Sequence, residues 1–247
     1  MIRGLLIDLD GVLYVGDEPV EGAVEAVRRL KKRFLVRFIT NTTRKPTRKV
    51  IEKLLKMGFP VEEFEVFTAL RATAEFLKAK GSRAFFLLTD EALEEVRDLA
   101  GELPDYVVVG DAHRNFSYET LNRAFRYLLS GAGLIAVAKN RYFLDSDGDL
   151  SLDAGPFVKA LEFASGKRAK LIGKPSREFF LQAVRSMGLR PEECCVIGDD
   201  IEADVLGGMK VGMKGILVRT GKFRDEDLKK GKPHMVVGSI ADLPSIL

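Results

Sequence analysis

Short apolar runs alternate with amphipathic stretches along nearly the whole 247-residue chain, and this alternation limits the folds open to it. Runs at 5–9, 34–39, 194–197 and 215–218 predict strands. Stretches at 23–30, 46–57, 177–187 and 201–206 carry helical periodicity, with Gly58 and Gly188 as natural stops. Strand, helix and strand joined by short connections imply a parallel sheet with right-handed crossovers. The tail adds a short strand at 235–237 and a helix over 240–247. Between 70 and 172 lies a second α/β series, with strands at 84–88, 106–109 and 134–138 and helices at 92–99, 118–129 and 157–164. About a hundred residues with their own apolar pattern can form a domain. The expected organisation is a core from residues 1–70 plus 173–247, with 71–172 inserted.

Composition narrows the partners. With 46% hydrophobic and 30% charged residues this is an ordinary folded chain. Basic residues number 39 against 36 acidic, a net charge of +3, which argues against nucleic acid or a membrane surface as partner. No apolar run approaches the roughly 18–20 residues of a bilayer span, and the first residues reach charge too early for a signal peptide, so a cytoplasmic protein is expected. Cys194 and Cys195 are adjacent in an apolar run and read as small buried hydrophobes rather than a staple or redox pair. One Gln, four Asn and no Trp beside abundant Lys, Arg and Glu match the bias of heat-adapted proteins.

In a parallel α/β sheet, ligands gather at the carboxyl ends of the strands. The first strand ends in Asp8-Leu9-Asp10-Gly11, the second in Thr40-Asn41, and the 194–197 strand in Gly198-Asp199-Asp200, with Asp204 a turn later. Gly173-Lys174-Pro175-Ser176 precedes the 177–187 helix. Asp8 and Asp10 point to one face of an extended chain, and Asp199 would add a third negative charge, costly without a cation. Carboxylates and carbonyls select hard ions such as Mg²⁺. Lys174 could neutralise a carboxylate and a phosphoryl oxygen together, while Thr40 and Asn41 offer groups that bind phosphate. Each cluster also has a plainer reading: a turn at Asp10-Gly11, an exposed turn lysine, a run of turn formers through Thr42-Thr43. Asp200 reads as the N-cap of the next helix. Asp204, in its first turn, could serve the helix dipole, the outer shell of a metal, or both.

Asp8-Leu9-Asp10-Gly11-Val12-Leu13, a strand ending in Thr40, Lys174 in Gly-Lys-Pro, and Gly198-Asp199 followed by Asp204 resemble, in order and strand-end placement, the four motifs of the haloacid dehalogenase (HAD) superfamily. Thr40-Asn41-Thr42-Thr43 and the insertion of about a hundred residues resemble its NagD-like, type-IIA branch. The segments Lys139-Asn140-Arg141-Tyr142-Phe143, Gly155-Pro156-Phe157 and Thr220-Gly221-Lys222 look most like the phospholysine/phosphohistidine/pyrophosphate phosphatases and their close relatives.

The resemblance implies an α/β fold, a Rossmann-like parallel-sheet core with an inserted α/β (C2-type) cap domain. It implies a phosphatase in which Asp8 is the nucleophile and Asp10 the acid and base. Mg²⁺ would be held by Asp8, Asp199 and the backbone carbonyl of Asp10, and Thr40, Asn41 and Lys174 would hold the phosphoryl group. Asp204 is carried over as an outer-shell residue. Substrate choice would lie in the cap, where Lys139 and Arg141 could recognise an anionic leaving group; solvated basic residues at a strand end explain them equally well. The expected partner is a small phosphorylated metabolite, and a homodimer through the cap is common among such relatives. A phosphomutase, a dehalogenase or a non-catalytic phosphate-binding protein is the alternative; dehalogenation has no need of the role given to Asp10.

Other patterns carry less. Asp145-Ser146-Asp147-Gly148-Asp149 lacks the glycine and glutamate positions of a calcium-binding EF-hand loop, so Asp147-Gly148 reads as a hairpin turn. Pro175 stands where a Walker A motif needs Ser or Thr. His113 and His234 lack ligand-spaced partners.

Overall fold

A computed structural model describes residues 1–145 and 148–247. It divides into two compact units, one made of Met1–Thr40, Arg48–Phe67 and Lys174–Leu247, the other of Asn41–Thr47 and Thr68–Gly173.

The first unit is built on a six-stranded sheet in the order Met235–Val237, Lys214–Val218, Cys194–Gly198, Gly4–Asp8, Leu35–Thr40, Val66–Thr68. The four pairings from Met235–Val237 across to Leu35–Thr40 are parallel. Gly4–Asp8 and Cys194–Gly198 are buried along their whole length, which is why both read as unbroken apolar runs rather than alternating ones. After the first strand the chain builds outward in one direction through Leu35–Thr40 and Val66–Thr68. It then returns to the other side at Cys194–Gly198. Strand order therefore reverses between Gly4–Asp8 and Cys194–Gly198, the kind of point where such sheets open a crevice. Register sets the strand ends level: Asp8 lies opposite Ile39, and Ile7 opposite Ile197. Thr40 and Asp199 thus each follow one residue beyond the level of Asp8.

Leu5, Ile7, Phe38 and Ile197 pack with Val27, Leu30 and Leu54 from the helices Ala23–Lys31 and Thr47–Lys56. Gly58 follows the second helix with φ +87°, and Gly188 follows Arg177–Arg185 with φ +67°, the left-handed stops expected of them. Cys194 and Cys195 are free and buried, and burial pushes both thiols up to about 12.

The second unit holds a four-stranded sheet, Lys170–Leu171, Gly133–Ala136, Tyr106–Val109 and Ala84–Leu87, all parallel. Its core joins Val107, Val109, Leu134 and Ala136 to Ala124, Leu128, Val158 and Leu161 of the helices Tyr118–Leu129 and Ala154–Ser165. Strands Tyr142–Leu144 and Leu150–Leu152 pair antiparallel. The turn expected at Asp147-Gly148 falls partly outside the described residues. No helix among the described residues is long and apolar enough to cross a membrane.

Several short elements and one helix escape the periodicity. Val66–Thr68 and Lys170–Leu171 are too short to show a pattern, and the helix Ala69–Lys80 begins directly at the end of a strand, capped by the Thr68 hydroxyl. The helix expected over 201–206 is instead a widened, π-type turn, with the Val205 N–H donating to the Asp200 carbonyl at 3.3 Å.

Ile7 is fully buried in the central strand. Ile7→Ala is expected to cost about 2–5 kcal/mol, read as a lower urea midpoint with an unchanged slope.

Candidate active site

The carboxyl ends of the two central strands deliver Asp8 and Asp199 side by side. Carboxylate oxygens of Asp8, Asp199 and Asp204 lie within 4.8 Å of one another, and all three residues are buried. Among them stands Lys174, itself buried, whose Nζ lies 2.7 Å from Asp8 Oδ1 and 2.6 Å from Asp204 Oδ1. Burial works against the lysine's charge, but the attraction of Asp204 and Asp8 outweighs it and holds the ammonium protonated. Ser176, two residues on, caps the helix Arg177–Arg185 by accepting from the Phe179 N–H at 3.2 Å, so the lysine is anchored just ahead of a fixed helix start.

Asp204 reaches this cluster because of the widened turn. Asp200 accepts from the N–H groups of Glu202 and Ala203 at 3.0 and 2.9 Å, the N-cap expected of it. Gly198 makes room: a Cβ there would fall 2.2 Å from the Cβ of Asp204. Burial and the nearby charge of Asp8 raise the Asp204 carboxyl pKa, against the pull of Lys174. The sequence offered two roles for Asp204, dipole and outer shell. In the structure it is a direct ionic partner of Lys174.

Asp199 accepts the Lys222 N–H on Oδ2 at 2.7 Å, while its buried Oδ1 has no hydrogen-bond partner. Burial, then the charge of Asp8, push its carboxyl up to about 6. A buried, unpartnered carboxylate oxygen beside two further carboxylates is the donor set a hard divalent cation would satisfy. Asp10 lies beyond the buried cluster, open to solvent. Lost hydration, with a smaller contribution from Asp8, still raises its carboxyl against the lowering effect of Lys222 and Lys53. Thr40 is buried at the end of its strand. Lys222, quoted above only as part of the family-like segment Thr220-Gly221-Lys222 and given no role there, brings an ammonium that feels Asp199 and Asp8.

The remaining expected residues belong to the second unit. Asn41 lies beside Gly173, where a Cβ would fall 2.6 Å from Asn41 Oδ1. Thr43 is more than a turn former: it is buried, and its hydroxyl accepts the Asp111 N–H at 2.8 Å. Arg141 is exposed. Lys139 gives its ammonium to Glu162 Oε1 at 2.8 Å and to the Ala169 carbonyl at 3.4 Å. In the first unit, His234 accepts the Gly215 N–H on Nδ1 at 3.1 Å.

The haloacid dehalogenase-like hydrolase family model matches residues 5–101, and a related HAD-hydrolase-like model matches 171–243. Human haloacid dehalogenase-like hydrolase domain-containing protein 2 is 45% identical over 233 residues, 94% of this chain and 90% of the relative. Human phospholysine phosphohistidine inorganic pyrophosphate phosphatase is 41% identical over 255 residues, covering 100% and 94%. The p-nitrophenyl phosphatase from Archaeoglobus fulgidus superposes with a TM-score of 0.92 at 30% identity, covering 100% of this chain and 99% of that one.

Glu162 gives a pH test of the second unit. Burial alone would raise its carboxyl, but hydrogen bonds from Lys139, Lys159 and the Ala169 N–H bring it from 4.5 down to about 2. The folded protein holds this proton more weakly than the unfolded chain, so the stabilisation is complete above 4.5 and is lost as the pH falls towards 2. Glu162→Gln is expected to lose about 1–3 kcal/mol at pH 7, and the gap to the parent should narrow on acidification in paired unfolding curves.

Proposed function

The chain belongs to the haloacid dehalogenase-like hydrolase family, and we propose that it is a Mg²⁺-dependent phosphatase that hydrolyses a small phosphate monoester, phosphoamide or pyrophosphate. One observation carries this reading: Lys174 bridges Asp8 and Asp204 inside a buried cluster that also holds the unpartnered Oδ1 of Asp199.

In this reading the Asp8 carboxylate attacks phosphorus, an O–P bond forms to the aspartate, and the bond to the leaving oxygen or nitrogen breaks. Asp10 gives its proton to that leaving atom. Its carboxyl pKa is shifted upward from the ordinary aspartate value, the direction a general acid needs. The resulting carboxylate then takes a proton from the water that attacks the aspartyl-phosphate, releasing phosphate and regenerating Asp8. Lys174 stays charged throughout, orienting Asp8 and balancing the negative oxygens of the transferring group. Thr40 and Asn41 hold those oxygens from the adjoining strand end. Asp8, Asp199 and the Asp10 carbonyl would hold Mg²⁺, which when bound offsets negative charge on the phosphoryl group.

The inserted unit acts in this proposal as the cap that selects the leaving group, with Arg141 and Lys139 at its basic strand end. Because Lys139 already neutralises Glu162, Arg141 is the more available of the two for an anionic substrate.

Turnover of p-nitrophenyl phosphate should require Mg²⁺, disappear in EDTA, and fall at least about a thousandfold in Asp8→Asn. Activity that survives Asp8→Asn sinks the nucleophile assignment, and no Mg²⁺-dependent turnover on any phosphorylated compound leaves only a phosphate-binding protein. Asp10→Asn separates the second role. It should slow an alkyl phosphate, whose leaving oxygen needs a proton, by at least about tenfold more than p-nitrophenyl phosphate, whose leaving group departs as a stable anion. Equal losses on both substrates would remove Asp10 as the acid.

A further inference from the structure

Three segments that follow three different strands interlock at Asp199: the turn at Gly11, Asp199 itself, and residues 220–222 beyond the strand Lys214–Val218. The contacts leave no space. A Cβ on Gly11 would fall 2.0 Å from Asp199 Oδ2, and one on Gly221 would fall 2.2 Å from the same oxygen and 2.4 Å from the Gly11 Cα. Both glycines have positive φ, +84° and +66°, so side chains are excluded by backbone conformation as well as by space. The Thr220 hydroxyl donates to the Gly11 carbonyl and ties the two turns together. The segment is fastened at both ends. The Arg219 N–H donates to the Val237 carbonyl at 3.0 Å, and Phe223 packs against Ile201, Val205 and Leu217.

This arrangement fixes one oxygen of Asp199 and leaves the other. The Lys222 N–H holds Oδ2 at 2.7 Å, and Oδ1 stays buried without a partner. A carboxylate pinned through one oxygen cannot swing freely, so the direction of the second is set by the backbone that does the pinning. Thr220 does not touch the cluster. It acts through Gly11 and through the main chain that leads to the Lys222 N–H.

We propose that Thr220 and Gly221 are positioning residues that lock Asp199 on the Lys222 N–H and thereby aim Oδ1 at the divalent cation. The inference rests on the cation-dependent phosphatase reading given above, and it gives a role to two residues of the family-like segment Thr220-Gly221-Lys222 that had none.

The test is calorimetric titration of Mg²⁺ into the metal-free full-length protein, its Thr220→Val and Thr220→Ser variants, and Asp199→Asn. Thr220→Val keeps the shape and removes the hydroxyl; it should raise the Mg²⁺ dissociation constant about tenfold, whereas Thr220→Ser should recover most of the parent affinity. A folded Thr220→Val protein that binds Mg²⁺ like the parent overturns the proposal while leaving the cation site standing. Should Thr220→Val not fold, nuclear magnetic resonance of the unmodified protein decides. The Lys222 amide resonance should move with Mg²⁺ at the calorimetric midpoint, and a stationary resonance overturns the role given to this strap. Parent protein that takes up no more Mg²⁺ than Asp199→Asn removes the cation reading itself, and the strap with it.

Discussion

The structure turns on a single buried ammonium. Lys174 lies within 2.7 Å of Asp8 and 2.6 Å of Asp204, in a site where three carboxylates would otherwise face one another with little water to screen them. Charges taken out of water are tolerated only when paired, and removing one partner of such a pair typically costs about 3–5 kcal/mol. The ammonium is therefore structural and chemical at once. It pairs with Asp8 in a buried place and brings a fixed positive charge to the carboxylate proposed as nucleophile. One lysine cannot balance three carboxylates. Raised carboxyl pKa values at Asp199 and Asp204, both driven first by burial, record the remaining imbalance.

Around this pair the backbone does most of the shaping. The parallel register brings Asp8 and Asp199 to within one residue of the same level on adjacent strands, at the point where strand order reverses. Glycines then admit close approaches that side chains would forbid, Gly198 beneath Asp204 and Gly11 with Gly221 against Asp199. The widened turn after Asp200 completes the set by bringing Asp204 onto Lys174. A regular α-helical turn was the natural expectation from the apolar spacing of Ile201, Val205 and Leu206. The turn is widened instead, and Asp204 within it is buried and paired with Lys174.

Much of this was legible beforehand. Most of the longer strands and helices of both units follow their apolar periods, and the helix Tyr118–Leu129 has the bounds its pattern suggests. Asp8 and Asp199 announce themselves because each is an acidic residue at the end of a buried strand, and Lys174 because it stands between Gly173 and Pro175 just ahead of a helix. Lys139 shows the limit of that reasoning. A basic residue past a strand end looks available for substrate, yet its ammonium is engaged by Glu162, 23 positions later in the chain. Thr43 shows the opposite error, a residue that passes for a turn former but accepts a buried hydrogen bond from Asp111. Neither partner could be named from spacing, because both pairings join segments whose proximity depends on how the second sheet folds.

By itself, then, the sequence determined the strand–helix rhythm, the parallel core with an inserted α/β unit, which carboxylates and hydroxyl stand at strand ends, and which lysine stands ahead of a helix. Those are consequences of local periodicity and of residue chemistry at element boundaries. Only the tertiary structure decided which charges pair: that Lys174 serves Asp8 and Asp204 together, that Asp199 keeps one oxygen pinned by Lys222 and one unpartnered, and that Gly11 and Gly221 meet. These contacts join residues up to about two hundred positions apart, and the energy of a charge depends on what surrounds it in space. Strand order and register set those surroundings.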